Sequence, residues 1–306
     1  MQIQTVLGPI APEVLGPTLM HEHTFFDLEV SPGAYDAIVD DEVMLADELR
    51  MYVAAGGSGL VDLTPPVLGR DPAGMARLAS STGLHIVMGA GWYRGEYHTG
   101  DVRSGSVNEL ADLLVREFRD GVGETGVRPG ILGELGTGRG AIRASEERAF
   151  RAAARAQREV GFSISTHTTH YGELASDQIR LLRAEGVPVE RIVIGHVGER
   201  RGAADVLAIA ETGVFVQVDH VGRRVSAGMI SDAQRAANVA QLVRAGRVRQ
   251  VTLSMDICGN SQMHAHDGHG YDHLLRTFVP LLREAGVNDG DIHTMLVDNP
   301  RRILAY

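Results

Sequence analysis

The chain has 306 residues, with 29 basic side chains against 39 acidic ones and a formal charge of −10, a balance that argues against a nucleic-acid or anionic-membrane surface. All the basic side chains are arginine; the absence of lysine excludes a Schiff-base lysine, a P-loop lysine, a lysine general base and a lysine carbamate bridging two metals. The lone Cys258 rules out an intramolecular disulfide or a cysteine-rich zinc module, and no run approaches the ~20 apolar residues of a membrane span.

The opening stretch, MQIQTVLGPIAPE, has no basic region followed by an apolar block, so a cytoplasmic protein is expected. Residues 3–15, two short apolar runs around Gly8-Pro9, predict a β-hairpin. Apolar, β-branched runs then predict strands at 17–23, 59–64, 84–90, 130–135, 162–167, 191–196, 214–219 and 250–256. Between them lie segments rich in Ala, Leu, Arg and Glu. In the segment 144–160, Ser145 suggests a cap, with Glu146 and Glu147 as an acidic first turn. Residues 232–245 and 272–285 carry apolar side chains three and four apart, as amphipathic helices require. Eight strands separated by helices, with a mean repeat of about 38 residues, predict an α/β fold of the (β/α)8 TIM-barrel type with a short N-terminal β-hairpin. An open doubly wound sheet shares the alternation, but no Gly-rich nucleotide fingerprint follows the first strand. No linker or shift in composition divides the chain, so a single domain over 1–306 is expected.

Barrel active sites are built at the C-terminal ends of the strands. Strand 1 ends in His21-Glu22-His23, strand 4 near Glu134, strand 5 in His167, strand 6 in His196 and strand 8 in Asp256. Residues two apart share a strand face, so His21 and His23 are expected to reach inward while Glu22 points away. One cation site is then His21, His23 and Asp256, a second His167 and His196, with Glu134 as a bridging carboxylate. Two divalent ions about 3.5–4 Å apart that share a hydroxide form a hydrolytic centre. The imidazole and carboxylate mixture suits Zn²⁺ first, and also Mn²⁺, Co²⁺ or Fe²⁺. Each residue alone is a weak signal, because a buried histidine is more often a hydrogen-bonded core residue; the coincidence at five strand ends carries the reading. Trp92, Tyr93 and Arg94 follow strand 3, where Trp92 either lines a substrate pocket or packs at the rim and Tyr93 is placed to donate to a bound oxygen. Arg223 and Arg224 follow strand 7 and either meet an anionic substrate or form salt bridges. His264, His266, His269 and His273 crowd the loop after strand 8 and read as a polar loop at the mouth rather than a further metal cluster.

The run Gly16-Pro17-Thr18-Leu19-Met20-His21-Glu22-His23 resembles the opening signature of the phosphotriesterase family, in the amidohydrolase superfamily. Gly133-Glu134-Leu135-Gly136, Ser165-Thr166-His167-Thr168, Ile194-Gly195-His196, Val218-Asp219-His220, Leu253-Ser254-Met255-Asp256, Gly270-Tyr271-Asp272-His273-Leu274-Leu275 and Asp298-Asn299-Pro300 follow in the family's order. The resemblance implies a barrel with a binuclear centre, His21, His23 and Asp256 holding the more buried ion and His167 and His196 the more exposed one. Well-known members bridge the ions with a carboxylated lysine; this sequence departs from them and is similar to the phosphotriesterase-related branch, with Glu134 in that place. The resemblance further implies hydrolysis of a small molecule, a metal-bridging hydroxide attacking an ester or lactone carbonyl. Asp256 then accepts the proton and passes it on through His220 and Glu199, or His220 serves only to orient Asp256. An amide (N-acyl) or phosphotriester substrate is the alternative, and a catalytically silent metal-binding barrel the alternative of another class. Lactonases of the family often place an Arg after the strand 7 Asp, where this chain has His220. A homodimer is expected.

Overall fold

In the computed structural model, which describes residues 1–28, 35–169, 172–199, 202–225 and 229–306, the predicted apolar runs form eight parallel strands. They are β1 (Thr18–Glu22), β2 (Gly59–Asp62), β3 (His85–Ala90), β4 (Ile131–Thr137), β5 (Ile164–Thr168), β6 (Ile192–Ile194), β7 (Phe215–Val218) and β8 (Val251–Leu253), neighbours in chain order. Apart from His85 and His167 every residue in them is buried, as a parallel sheet covered on both faces requires. Leu19, Leu60, Ile86, Leu132, Ile192 and Val216 turn outward to the helical layer. Met20, Val61, Val87, Ile131, Val193 and Phe215 gather into a separate cluster with Ile3, Leu15, Ile303 and Leu304. Residues from six strands meet only across the inside of a barrel, so this cluster is the packed interior beneath the mouth.

Helices alternate with the strands: α1 (Glu42–Ala54), α2 (Pro72–Thr82), α3 (Val107–Asp120), α4 (Ala144–Val160), α5 (Ala175–Ala184), α6 (Ala203–Ala210) and α7 (Asp232–Arg244), among shorter turns. Local chemistry sets their ends. Asp41 accepts the N–H groups of Val43 and Met44, and Ser106 with Glu109 forms a capping box. α4 stops at Gly161, φ 82°, a left-handed conformation that glycine adopts without strain. Its start differs from the expected Ser145 cap. The helix begins at Ala144, and the buried Glu146 reaches back to accept the Arg143 N–H at 2.8 Å. The other oxygen of Glu146 accepts from Gly95 and Gly138, both at 2.9 Å, tying the loop after β3 to the loop after β4.

The hairpin pairs Ile3–Thr5 with Gly8–Ile10, and Gln2 and Tyr306 exchange backbone hydrogen bonds of 3.2 and 3.0 Å, closing the floor of the barrel with both chain ends. The seam between β8 and β1 is made largely by side chains. Glu22, fully buried, accepts from Ser254 Oγ (2.7 Å) and from the N–H groups of Met255 (2.8 Å) and Ile257 (2.9 Å). Pointing away from the mouth, it replaces a backbone ladder. Among the described residues no helix is long and apolar enough to cross a membrane.

Candidate metal centre

The donors reach the mouth through departures from regular strand geometry. Met20 faces the interior, so strict alternation would turn His21 outward; the β1–β2 register slips between Leu19 and Glu22, and His21 faces inward as well. A second slip, between Leu132 and Leu135 of β4, brings Glu134 inward. It is possible because Gly133 sits at φ 134°, where an added Cβ would lie 2.3 Å from the Ser165 carbonyl oxygen. β6 and β8 stop sooner than predicted, at Ile194 and Leu253. His196 (φ 57°) and Asp256 (φ 52°) stand beyond them in left-handed conformations costly for non-glycine residues.

All six predicted donors converge. His23 Nε2 lies 3.2 Å and His21 Nε2 3.8 Å from Asp256 Oδ1, making one group. Glu134, His167 and His196 make another, with His167 Nδ1 hydrogen-bonded to Glu134 Oε1 and 2.9 Å from His196 Nε2. Glu134 Oε1 lies between the groups, 3.7 Å from His21 Nε2 and 3.4 Å from His196 Nε2. His21 Nε2 is buried between the carboxylates of Glu134 and Asp256 and makes no hydrogen bond among the described residues, and the nitrogens of His167 and His196 face each other beside the same Glu134 Oε1. An imidazole and carboxylate set with its lone pairs aimed at common points fits divalent cations.

Three of the four rings are held from behind. His23 Nδ1 contacts Thr64 Oγ1 at 2.9 Å. Asp219, at the end of β7, holds His21 Nδ1 (3.3 Å) and His196 Nδ1 (3.2 Å) and accepts the His196 backbone N–H. Gln217 Oε1 stands 3.2 Å from His21 Nδ1. Carboxylates behind metal-binding imidazoles fix the tautomer and raise basicity. Burial opposes the ionisation of Glu134, Asp219 and Asp256, yet the surrounding imidazoles, with Arg223 for Asp256, hold all three carboxyls well below the usual range. Burial also works against a charged His21, but its hydrogen bond to Asp219 and the charge of Glu134 outweigh it and push the ring up to about 9.

Asp256 Oδ2 meets His220 Nε2 at 3.0 Å, and His220 Nδ1 lies 3.6 Å from Glu199 Oε1. Arg223 Nη2 also reaches Asp256, 2.8 Å from Oδ2 and 2.6 Å from the carbonyl oxygen, and lines a cavity of about 510 Å³ with Arg224, Cys258 and His269. Tyr93 sets its ring edge-on to His167 at 4.8 Å. Trp92 packs on the cluster of Val102, Leu110 and Ala149 and also lines a smaller cavity. The histidine-rich loop holds ordinary polar contacts, His264 to Asp272 and His273 to Asp232. Asp219 and Gln217 were missed as supporting residues; the signal for Asp219 was a carboxylate at the strand end given no role.

A family model described as the phosphotriesterase family matches residues 1–304. The chain belongs to the phosphotriesterase family. Within the family, the phosphotriesterase homology protein of Escherichia coli (strain K12) is 34% identical over 285 residues, 93% of this chain and 96% of its own. The crystal structure of that protein, complexed with phosphate in the active site, superposes with a TM-score of 0.90 over 95% of this chain and 99% of its own. An N-acetyltaurine hydrolase of Tetraodon nigroviridis is 29% identical over 343 residues, covering 100% of this chain and 98% of its own. The structure of a lactonase from Listeria monocytogenes is 26% identical with a TM-score of 0.93, over 100% and 99% of the two chains. Phosphotriesterase-family barrels are metal-dependent, in keeping with the donor set.

Proposed function

We propose that this chain is a binuclear metal-dependent hydrolase of a small molecule with an ester- or lactone-type carbonyl. The carrying observation is the place of Glu134, whose Oε1 lies within 4 Å of His21 Nε2 in one donor group and of His196 Nε2 in the other. His21, His23 and Asp256 would hold one ion, His167 and His196 the other, and Glu134 would bridge them where lysine-bearing relatives use a carbamate. Zn²⁺ suits these donors best, with Mn²⁺, Co²⁺ and Fe²⁺ as alternatives. Such ions supply acidification of water and polarisation of a substrate oxygen.

Asp256 is the carboxylate facing the mouth, and it takes the proton of the attacking water. His220 Nε2, 3.0 Å away, either receives that proton and hands it toward Glu199 or keeps Asp256 oriented. Trp92, Tyr93 and Arg223 line the approach and contact substrate. A second reading, an N-acyl amide with an anionic amine portion, is favoured by Arg223 at the larger cavity and by the relatives named N-acetyltaurine hydrolase.

Metal analysis paired with turnover on lactone, ester, N-acyl amide and phosphotriester panels tests both. Metal near two per chain with ester or lactone turnover supports the first reading; turnover confined to N-acyl amides replaces it with the second. Tight metal with no turnover on any panel would make the barrel a binding protein.

A further inference from the structure

At the floor of the barrel, the end opposite the metal donors, lies a cavity of about 730 Å³. Arg191 and Arg249 reach it from the turns that lead into β6 and β8, Phe215 opens β7, and Arg301 and Arg302 come from the closing helix Asn299–Leu304. Three of these arginines donate to neutral oxygens. Arg191 Nη1 donates to the Ala305 carbonyl (2.7 Å), and Arg301 to the carbonyls of Leu15 (Nε, 2.7 Å) and Glu13 (Nη2, 2.9 Å). Arg302 Nη1 donates to the carbonyl of Arg249 (2.9 Å) and to Asn299 Oδ1 (3.1 Å), and its guanidinium lies 5.1 Å from the centre of the Phe215 ring. These bonds fix Arg302 beside the residue that carries the next charge. The Arg249 side chain is exposed and has no partner among the described residues. Carboxylates border the cavity without neutralising it. Glu13, Glu190 and Asp298 form no ion pair with these arginines among the described residues, and Asp298 instead meets His293 Nε2 at 3.6 Å. Burial and the charge of Arg249 lower the pKa of Arg302 against the pull of Asp298, but a guanidinium stays charged. Two neighbouring cations without a counter-ion repel, and an anion between them relieves the repulsion.

The geometry points to an anion site at the floor, in which Arg249 and Arg302 hold a dianionic tetrahedral oxyanion, either free phosphate or the phosphate of a small monoester. Arg302 Nε and Nη2 and the whole fork of Arg249 are left to donate, and paired guanidinium forks match phosphate oxygens. The remaining volume, bordered by Ala11, Pro12 and Phe215, has room for an organic portion. The site lies at the other end of the barrel from the metals and does not depend on the hydrolase reading.

Calorimetric titration of the full chain with inorganic phosphate, glycerol 3-phosphate and acetate tests the site. It is run with divalent ions loaded and after their removal, because metal ions at the mouth bind phosphate on their own. One phosphate per chain is expected at the floor in both forms, and acetate, with a single charge, should bind about tenfold more weakly. Glycerol 3-phosphate binding more tightly than phosphate assigns the site to a monoester, whereas equal or weaker binding assigns it to the free ion. Arg249→Gln and Arg302→Gln each remove one guanidinium and should weaken the floor event about tenfold, leaving any event at the mouth of the loaded chain unchanged. Arg50→Gln removes the same charge from an exposed position outside the cavity and should leave phosphate affinity unchanged. Absence of any phosphate event that responds to Arg249→Gln or Arg302→Gln overturns the proposal. Equal affinities for acetate and phosphate, or equal weakening by Arg50→Gln, do so as well.

Discussion

Glu134 and Asp219 address the same two histidines from opposite sides, Glu134 beside the Nε2 atoms of His21 and His196 and Asp219 beside their Nδ1 atoms. They therefore fail differently. Glu134→Ala removes the oxygen shared by both groups, and loss of bound metal together with activity is expected; full metal content with normal turnover rejects the bridging role. Asp219→Asn keeps every donor but removes the carboxylate that fixes both tautomers, and competition against a chelator should show metal affinity weakened by about 10–100-fold. His220→Ala removes none of the six donors, only the ring hydrogen-bonded to Asp256, and should leave metal content intact while lowering kcat; an unchanged kcat removes His220 from proton handling. The contrast also explains what the sequence discloses. Glu134 could be named because a carboxylate at a barrel strand end points to chemistry by position alone. Asp219 stands at such an end too, but its work lies in contacts to residues 198 and 23 positions away, which no local pattern records.

At the level of the element, α7 was expected from its apolar spacing over 232–245, and it spans Asp232–Arg244. The same pattern hides Arg235, which a helical reading assigns to the solvent side and which is fully buried. Its guanidinium joins Glu199 (Nε at 2.8 Å) to Asp232 (Nη1 at 2.5 Å), while Asp232 also accepts from the Gly222 N–H and His273 Nε2. Arg235 and Asp232 together thus pin the loops after β6, β7 and β8, which carry Glu199, His220 with Arg223, and His273. Breaking a buried pair by removing one partner leaves an uncompensated charge, so Arg235→Met should lower unfolding free energy by roughly 3–5 kcal/mol. Adding Glu199→Gln should recover part of that loss in denaturant titrations. Simple additivity of the two substitutions would mean that the pair is not coupled. The shortened β6 and β8 follow a similar logic. The apolar runs end in histidine and aspartate as predicted, but the left-handed turns that aim them are tertiary features invisible to periodicity.

Across the whole molecule, the barrel was legible because eight apolar runs at regular spacing leave few ways to cover a parallel sheet. Its closure was not, because β1 meets β8 through the buried Glu22 and across more than 230 residues of chain. His21 and His23 lie on one side of that seam and Asp256 on the other, so ions held by them would join the two ends of the barrel. Ligand that binds only the folded chain stabilises it by about 2.7 kcal/mol at a hundred times its Kd, and thermal melting with and without a chelator should show that dependence. The composition adds a sharper test. A carbamate bridge assembles only when dissolved carbon dioxide adds to a lysine amine, and this chain has no lysine. With Glu134 as the bridge, the ligand set is complete as translated. Recovery of activity by the metal-stripped protein should then run at the same rate in degassed buffer as in bicarbonate. A strong acceleration by bicarbonate would mean that something other than Glu134 completes the centre.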